Sequence, residues 1–576
     1  MKNYMKQLFP VAALALTFSI SSCVKDLEVE PIDPNLQTEI TPEQLFNKCY
    51  ANIGVAGNGG ASGDCDIDGL DGGTTGYVRQ MWNANELTSD ESICGWGDEG
   101  IAEFCSNAYD ASHPMLRGYY YRLYFGVTIC NQYLTDYQDY DQTMAAEVRF
   151  LRALDYFLLM DAYGNVPFLT SVSSTPAEQY SRQQIYDFVE SELLEIEPLL
   201  SDPKPKTSSD AGYGRVDRAS AWLLLSRLYL NAEVYTGTPQ WAKAAEYAKK
   251  VMNDSNYKLY TTAQNGWSAY RQLFMGDNGE NGSSVEALFP ILQDGKKTTS
   301  WGTTLFLMAG AQDANVRNYV PATRTVKDTN GNDKIEIRDT ICGNGTTEAW
   351  GGNRCRPDLI AKFFPNGDAP HLPAYDMPEV AGDDRAIFDG TVCTRIEEKD
   401  DDGNVVNVKF EITERLLDNV DRSTFTNGYA TCKFNNFKAT GAAANSSQFP
   451  DTDFFFFRVA EAYLTFAEAT ARLNGGQATG EAADAINAIR SRAHATTKNR
   501  WTLDEICDEW SREFYFEGRR RMDLVRFGRF GGNNNYYWQW KGGVYNGTNF
   551  AATKNLFAIP NTDLTVNPNL VQNPGY

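Results

Sequence analysis

Apolar residues fall into three kinds of run along this chain, and each kind implies a different element. The first is a block from Leu8 to Ile20 behind a short basic start, Lys2 and Lys6. It is too short to span a bilayer as a helix and has the length of a signal-peptide core, so residues 1–22 are set aside from the fold. The second kind recurs at helical spacing. Thr41-Pro42-Glu43-Gln44 offers a capping hydroxyl, a first-turn proline and a glutamine in the capping-box slot, which predicts a helix start. Helical periodicity then runs from Tyr119 to Tyr133 and from Ala145 to Tyr163, where Gly164-Asn165-Val166-Pro167 stops it. Between Arg218 and Ala232 the spacing gathers Trp222, Leu225, Leu228 and Tyr229 on one face. After Gly237-Thr238-Pro239, residues Trp241, Ala244, Ala245, Ala248 and Val251 form a second stripe. A related pair recurs at Val459 to Arg472 and Glu481 to Arg492, and Thr502-Leu503-Asp504-Glu505 is a capping box opening a helix expected to run on through Gly528. The third kind is short. From about Ser255 to Phe449 the chain is rich in Gly, Asn, Thr and Asp, and strand-like runs such as Val405 to Ile412 follow turn signals such as Asp402-Gly403-Asn404, which predicts loops and hairpins.

A large-residue helix followed by an alanine-rich one resembles a tetratricopeptide unit. Four such pairs give a mainly α fold, an α-α superhelical scaffold with long loops and short β-hairpins; a generic helix bundle is the alternative. The expected organisation is a signal peptide at 1–22, an acidic, proline-bounded tether at 23–40, and one domain at 41–576 with a loop-rich insertion at about 255–449. Ile20-Ser21-Ser22-Cys23 resembles a bacterial lipobox, in which Cys23 becomes the lipidated first residue, so membrane attachment is expected through the lipid anchor only. The acidic run after it resembles the surface-export signal of Bacteroidetes lipoproteins. Removing residues 1–22 takes away two lysines and no acids, moving the net charge from -23 to about -25. That balance argues against nucleic acid or anionic lipid as the partner. Eleven cysteines with no Cys-x-x-Cys pair, and only His113, His371 and His494 beside them, give no zinc-site spacing. With Cys23 lipidated, ten cysteines remain, an even number that permits disulfides.

Near the C-terminus, Glu513, Glu517, Arg520 and Arg521 stand at helical separations, which predicts a buried or half-buried ion-pair network that fixes the helix and its turn. The surrounding words, from Glu509-Trp510-Ser511-Arg512 through Phe516-Glu517-Gly518-Arg519-Arg520-Arg521 to Arg526-Phe527-Gly528, resemble the C-terminal signature of the SusD/RagB family of outer-membrane nutrient-binding lipoproteins. Three further segments resemble its other blocks: Glu147 to Leu154 ending in Tyr163-Gly164-Asn165-Val166-Pro167, Gly214 to Ala221 continuing through Arg227 to Ala232, and Phe449 to Asp453 through Arg458, Glu461 and Glu468-Ala469. The likeness covers essentially the whole chain. It implies a single helical domain on four tetratricopeptide-like pairs, held at the cell surface on the outer membrane, capping a SusC-like TonB-dependent transporter and presenting glycan to it.

Sugars offer hydroxyls and an apolar ring face, so their sites combine acidic or amide groups with flat aromatic rings. Residues 64–99 supply both: Asp64, Asp66, Asp68, Asp71, Tyr77, Arg79, Trp82, Asn85, Glu86, Asp90, Trp96, Asp98 and Glu99. Aspartates among glycines are equally turn formers, and a tryptophan is equally core. The preceding Gly57 to Gly63 lacks the Lys-Ser/Thr ending of a phosphate loop. Similarity to the starch-binding type within the family places Asp71, Arg79 and Trp96 on ligand-contacting positions, Trp350 near a second aromatic contact and Phe306 near a tyrosine contact. Phe306 lacks the phenolic hydroxyl, and Glu99 stands where an asparagine is expected. The glycan-binding candidates are therefore Asp64, Asp66, Asp71, Tyr77, Arg79, Asp90, Trp96, Glu99, Phe306 and Trp350, for an α-glucan, a fructan or another neutral glycan.

The same similarity implies a structural calcium ion, with Asp451, Asp453 and Asp277 as its carboxylates; no cofactor is otherwise required. Asp328-Thr329-Asn330-Gly331-Asn332-Asp333 begins like an EF-hand loop with its glycine misplaced and reads as a hairpin turn. No Gly-x-Ser-x-Gly elbow, no His-Glu-x-x-His and no histidine beside a nucleophile is present, so the expectation is a binder and no enzyme. A glycosidase using paired carboxylates, or a peptide-binding nutrient receptor, is the alternative.

Overall fold

The computed structural model describes residues 40–312, 323–327, 331–337, 344–418 and 420–576. The expected signal peptide, Cys23 and nearly all of the expected tether lie outside them. Two compact units divide at residue 45, and Phe46–Tyr576 forms the second. No helix among the described residues is long and apolar enough to cross a membrane.

Local signals place most helix ends. Thr41 and Gln44 exchange reciprocal hydrogen bonds of 3.0 and 3.3 Å at the start of the helix Pro42–Gly54. His113 caps the helix Pro114–Tyr137 by accepting from the Leu116 N–H, and Asp141 caps Gln142–Tyr163 by accepting from Met144. That second helix stops at Gly164, whose φ of 73° is one that side chains rarely adopt. Capping boxes open Arg182–Ile196, with Ser181 and Gln184, and Arg218–Leu230, with Asp217 and Ser220.

These helices pack in chain order. Pro114–Tyr137 lies on Gln142–Tyr163, which lies on Arg182–Ile196; Arg218–Leu230 follows, and against it Trp241–Lys249. The chain then leaves the stack and returns at Val459–Leu473, which packs on Trp241–Lys249 and carries Glu481–Arg492 and Leu503–Phe514. The expected mainly α scaffold is the observed one. One stripe differs: every residue from Ala219 to Leu230 is buried, because this helix has neighbours all round rather than a single apolar face.

The strands form two-stranded ladders. Val405–Glu414 pairs antiparallel with Thr391–Lys399 across a turn in which Asp400 Oδ1 accepts from the N–H groups of Asp402 and Asn404 and Gly403 takes a φ of 85°. Thr323–Lys327 pairs with Asp333–Ile337, Lys327 opposite Asp333; residues 328–330 of the expected hairpin turn lie outside the described residues. Ala287–Ile291 pairs with the fully buried Phe454–Arg458. The cysteines Cys49, Cys65, Cys94, Cys105, Cys130, Cys355, Cys432 and Cys507 are free thiols.

The last helix does not run unbroken to Gly528. Leu503–Phe514 ends, the chain turns through Phe516 at φ 63° and Gly518 at φ 79°, and Arg520–Arg526 begins anew. Tertiary partners hold the break. Glu86 accepts from the N–H groups of Gly518 and Arg519 at 2.7 and 3.0 Å, the Trp82 indole donates to the Phe516 carbonyl, and Lys433 donates to the Tyr515 carbonyl. The ion-pair network is buried, but its partners are distant rather than mutual. Glu513 meets Arg385, Arg458 and Arg492; Glu517 meets Lys433 and Arg458; Arg520 meets Asp90; Arg521 meets Asp161.

Candidate functional site

A short ladder brings the two expected tryptophans together. Ser92–Cys94 pairs antiparallel with Asn353–Cys355, Cys94 opposite Asn353, and the pairing continues as Gly95 N–H donates to the Gly352 carbonyl at 3.0 Å. Trp96 follows one strand and Trp350 precedes the other, so residues far apart in sequence meet with ring centroids 6.3 Å apart and planes tilted by 54°. The Trp96 indole N–H points to the Trp350 carbonyl at 3.4 Å, and the Trp350 indole donates to Glu348 at 2.9 Å. Glu348 is steadied in turn by Gln448. Gly352 is required here, because a β-carbon on it would lie 2.3 Å from Cε2 and Nε1 of Trp96.

A third tryptophan extends the row. Trp301 stands 6.1 Å from Trp350 at 48°, and Phe449 stands 4.9 Å from Trp301 at 57°. All four rings are half-buried. Trp301 and Phe449 were not among the sequence candidates. Nothing in the local words Ser300-Trp301-Gly302 ties Trp301 to Trp96; the bond from Arg79 N–H to the Gly302 carbonyl and the ladder do.

Arg79 lies beside this row, its guanidinium 5.6 Å from the Trp96 centroid and 5.0 Å from that of Phe306, with Nε buried and without a partner among the described residues. Burial draws its pKa below the ordinary arginine value, and the charges of Asp98 and Asp71 oppose that pull. Asp71 is exposed and caps the turn Gly72–Thr75, accepting from the N–H and hydroxyl of Thr74 at 2.9 Å each. Burial pushes its carboxyl up, but those bonds, the Gly73 N–H and Arg79 outweigh it, so the group titrates below the usual range. Asp64 and Glu99 are exposed, and Asp66 is half-buried in ion pairs with Lys48 at 2.8 Å and Arg122 at 3.3 Å.

Three candidates face inward and are corrected. Tyr77 is 2% exposed and its hydroxyl donates to Asp155 inside the helical stack. Asp90 is 0% exposed between Arg520, Lys362 and the Tyr536 hydroxyl; burial opposes its charge, yet Arg520 and Lys362 hold its carboxyl well below the ordinary range. Phe306 is 0% exposed on the helix Thr304–Ala309 and forms the floor under Trp96 and Arg79. A ligand on the tryptophans reaches none of the three.

The expected calcium ligands share a seam but do not converge. Asp277 accepts from Ala439, Thr440 and Asn281; Asp453 accepts from the Gln293 N–H and the Tyr213 hydroxyl; Asp451 accepts from the Asn445 N–H and pairs with Lys438 at 3.0 Å. Among the described residues no group of three or more His, Cys, Asp or Glu is arranged to hold a metal ion. One observation leaves room for a cation. Asp451 Oδ1 is buried without a hydrogen-bond partner, and a β-carbon on Gly295 would come within 2.7 Å of it.

The model of the SusD family matches residues 242–576. Starch-binding protein SusD of Bacteroides thetaiotaomicron is 38% identical over 593 aligned positions, covering 100% of this chain and 99% of that protein. The chain belongs to the SusD family. Solved structures share the fold of this SusD-family protein. A SusD superfamily protein from Parabacteroides distasonis covers 93% of this chain and 100% of its own at a TM-score of 0.61 and 18% identity. Surface glycan-binding protein A from Bacteroides thetaiotaomicron in complex with laminarihexaose covers 92% and 98% at a TM-score of 0.60 and 18% identity, and a laminarin binding SusD-like protein covers 94% and 100% at 0.59 and 20%.

Proposed function

We propose that this protein captures a neutral glycan, an α-glucan of the starch type, on the row Trp96, Trp350 and Trp301, and does so without breaking it. The observation that carries the reading is the row itself: three half-buried indoles in sequence, each tilted by roughly 50° from the next. Successive rings at such angles fit a polymer whose sugar faces turn from unit to unit. A flat, ribbon-like chain would need coplanar rings. Arg79 and Asp71 stand at the edge of the row as donor and acceptor for hydroxyls. The starch-binding relative at 38% identity supports the choice of α-glucan over fructan.

In the same reading, the Cys23 lipid holds the chain at the outer face of the outer membrane, and bound glycan passes to a SusC-like TonB-dependent transporter. The support is the lipobox sequence and membership of the family. Calcium belongs to the proposal as a structural ion at Asp451, whose buried Oδ1 lacks a hydrogen-bond partner; Asp453 and Asp277 would join it only by giving up the hydrogen bonds they accept here, and the ion would offset the repulsion between Asp451 and Asp453. Asp453 is pushed up to about 7, first by burial and then by the nearby charges of Asp451 and Glu280. Chelation with EDTA should then lower the melting temperature, and added calcium should restore it. An unchanged melting temperature removes calcium from the account.

Affinity electrophoresis of the mature chain tests the main reading. Retardation by amylopectin but not by levan, with no new reducing ends released, is the expected result. Retardation by levan alone would make it a fructan binder, release of reducing ends would make it a glycosidase, and binding of peptides without glycans would make it a peptide receptor.

A further inference from the structure

A second cleft, of about 400 Å³, shares no lining residue with the tryptophan row. Its walls come from three distant parts of the chain: Ser268 and Arg271, Tyr375 and Glu379, and Asp384 with His494. Each is placed by a local device. Ser268 caps the turn that carries Arg271, whose guanidinium is buried and braced 5.4 Å from the Trp267 ring. His494 takes the left-handed conformation, φ 54°, where the helix Glu481–Arg492 ends, a position that glycine usually fills. Its imidazole Nδ1 meets Asp384 at 2.8 Å, and Asp384 N–H donates to the Ala493 carbonyl, so two chain segments are tied at the cleft edge.

The chemistry of these walls selects a ligand class. Arg271, Ser268 and Tyr375 present donors, whereas Glu379 and Asp384 present carboxylate acceptors. Three carboxylates, Glu379, Asp383 and Asp384, disfavour an anion, the guanidinium disfavours a cation, and these charged groups interrupt the apolar surface that an alkyl chain would need. A polyhydroxyl ligand satisfies both kinds of group, because each hydroxyl donates and accepts. The half-buried Tyr375 ring adds a face on which a pyranose stacks. We propose that this cleft is a second glycan subsite, which takes a short stretch of the same polysaccharide that the tryptophan row holds.

The inference rests on the glycan reading and adds to it. Two sites on one body turn a long chain's second contact into an intramolecular event, so polysaccharide is retained beyond what either site gives alone. Isothermal titration with maltoheptaose, beside retention on amylopectin gels, tests it. Wild type should show two sites; Trp96→Ala should remove or weaken the tighter one and leave the weaker. Tyr375→Ala, and separately His494→Ala, should abolish the weaker site, leave the tighter affinity unchanged and reduce amylopectin retention by about tenfold. A single wild-type site that Trp96→Ala weakens, with amylopectin retention untouched by Tyr375→Ala and His494→Ala, would overturn the second subsite and leave the first standing. No binding of maltoheptaose or amylopectin to wild type would remove both.

Discussion

A methyl group on Gly352 would stand 2.3 Å from two atoms of the Trp96 ring, closer than real β-carbons come, so the ring lies where it does because that position has no side chain. Gly352→Ala should displace the indole and cost about 1–3 kcal/mol of stability as an overpacked site. Thermal melting and glycan titration on one preparation check this, and a variant that melts and binds like wild type would show that the ring has room. A second residue-scale consequence concerns acid and base. Asp453 titrates near 7 in the fold against an ordinary 3.8. Its pKa is raised, so the stability it contributes is complete below about 4 and is lost as pH rises through about 7. Glu513 is the opposite case. Burial opposes its charge, but Arg492, Arg458 and Arg385 bring it down to about 2 from an ordinary 4.5, so its contribution is complete above about 4.5 and is lost as pH falls through about 2. Melting temperature without added calcium should therefore decline between about pH 4 and 7 and level off above, and Asp453→Asn should flatten that decline.

At the scale of elements, the break between Leu503–Phe514 and Arg520–Arg526 links the first part of the chain to the last. Glu513 sits just before it with three guanidiniums around one carboxylate, at 2.5 to 3.2 Å. Removing that charge strands buried cations, a loss of about 3–5 kcal/mol, so Glu513→Gln should lower the melting temperature sharply while Glu99→Gln, on an exposed side chain, should not. Equal melting of the two variants would show the network to be dispensable. The same elements show what a sequence discloses. Thr502 with Glu505, and Gly164 after Tyr163, are signals read within four residues, and the helices end where those signals say. The break at Phe516 is held by Glu86, Trp82 and Lys433, which no local word connects to it. In sequence Asp90 stands among polar neighbours as a sugar ligand would, yet its partner Arg520 is 430 positions away. Trp301 carries no local signal for the same reason: its place in the row depends on a ladder that pairs Cys94 with Asn353.

At the scale of the whole molecule, a chain of net charge -23 carries a proposed site made of indole faces and a few partners for hydroxyls. Stacking on a neutral sugar releases no counterions, so affinity for α-glucan should change by less than about twofold between 50 and 500 mM salt. A steep salt dependence would point to an ionic ligand instead. The row of tryptophans is the central claim, and titration of the mature chain with maltoheptaose, wild type beside Trp96→Ala and Trp301→Ala, tests it most directly. Saturable binding that each substitution weakens by several-fold to about tenfold, with melting temperatures preserved, is the predicted result. Equal affinities in all three folded proteins, or no binding by wild type, would contradict it.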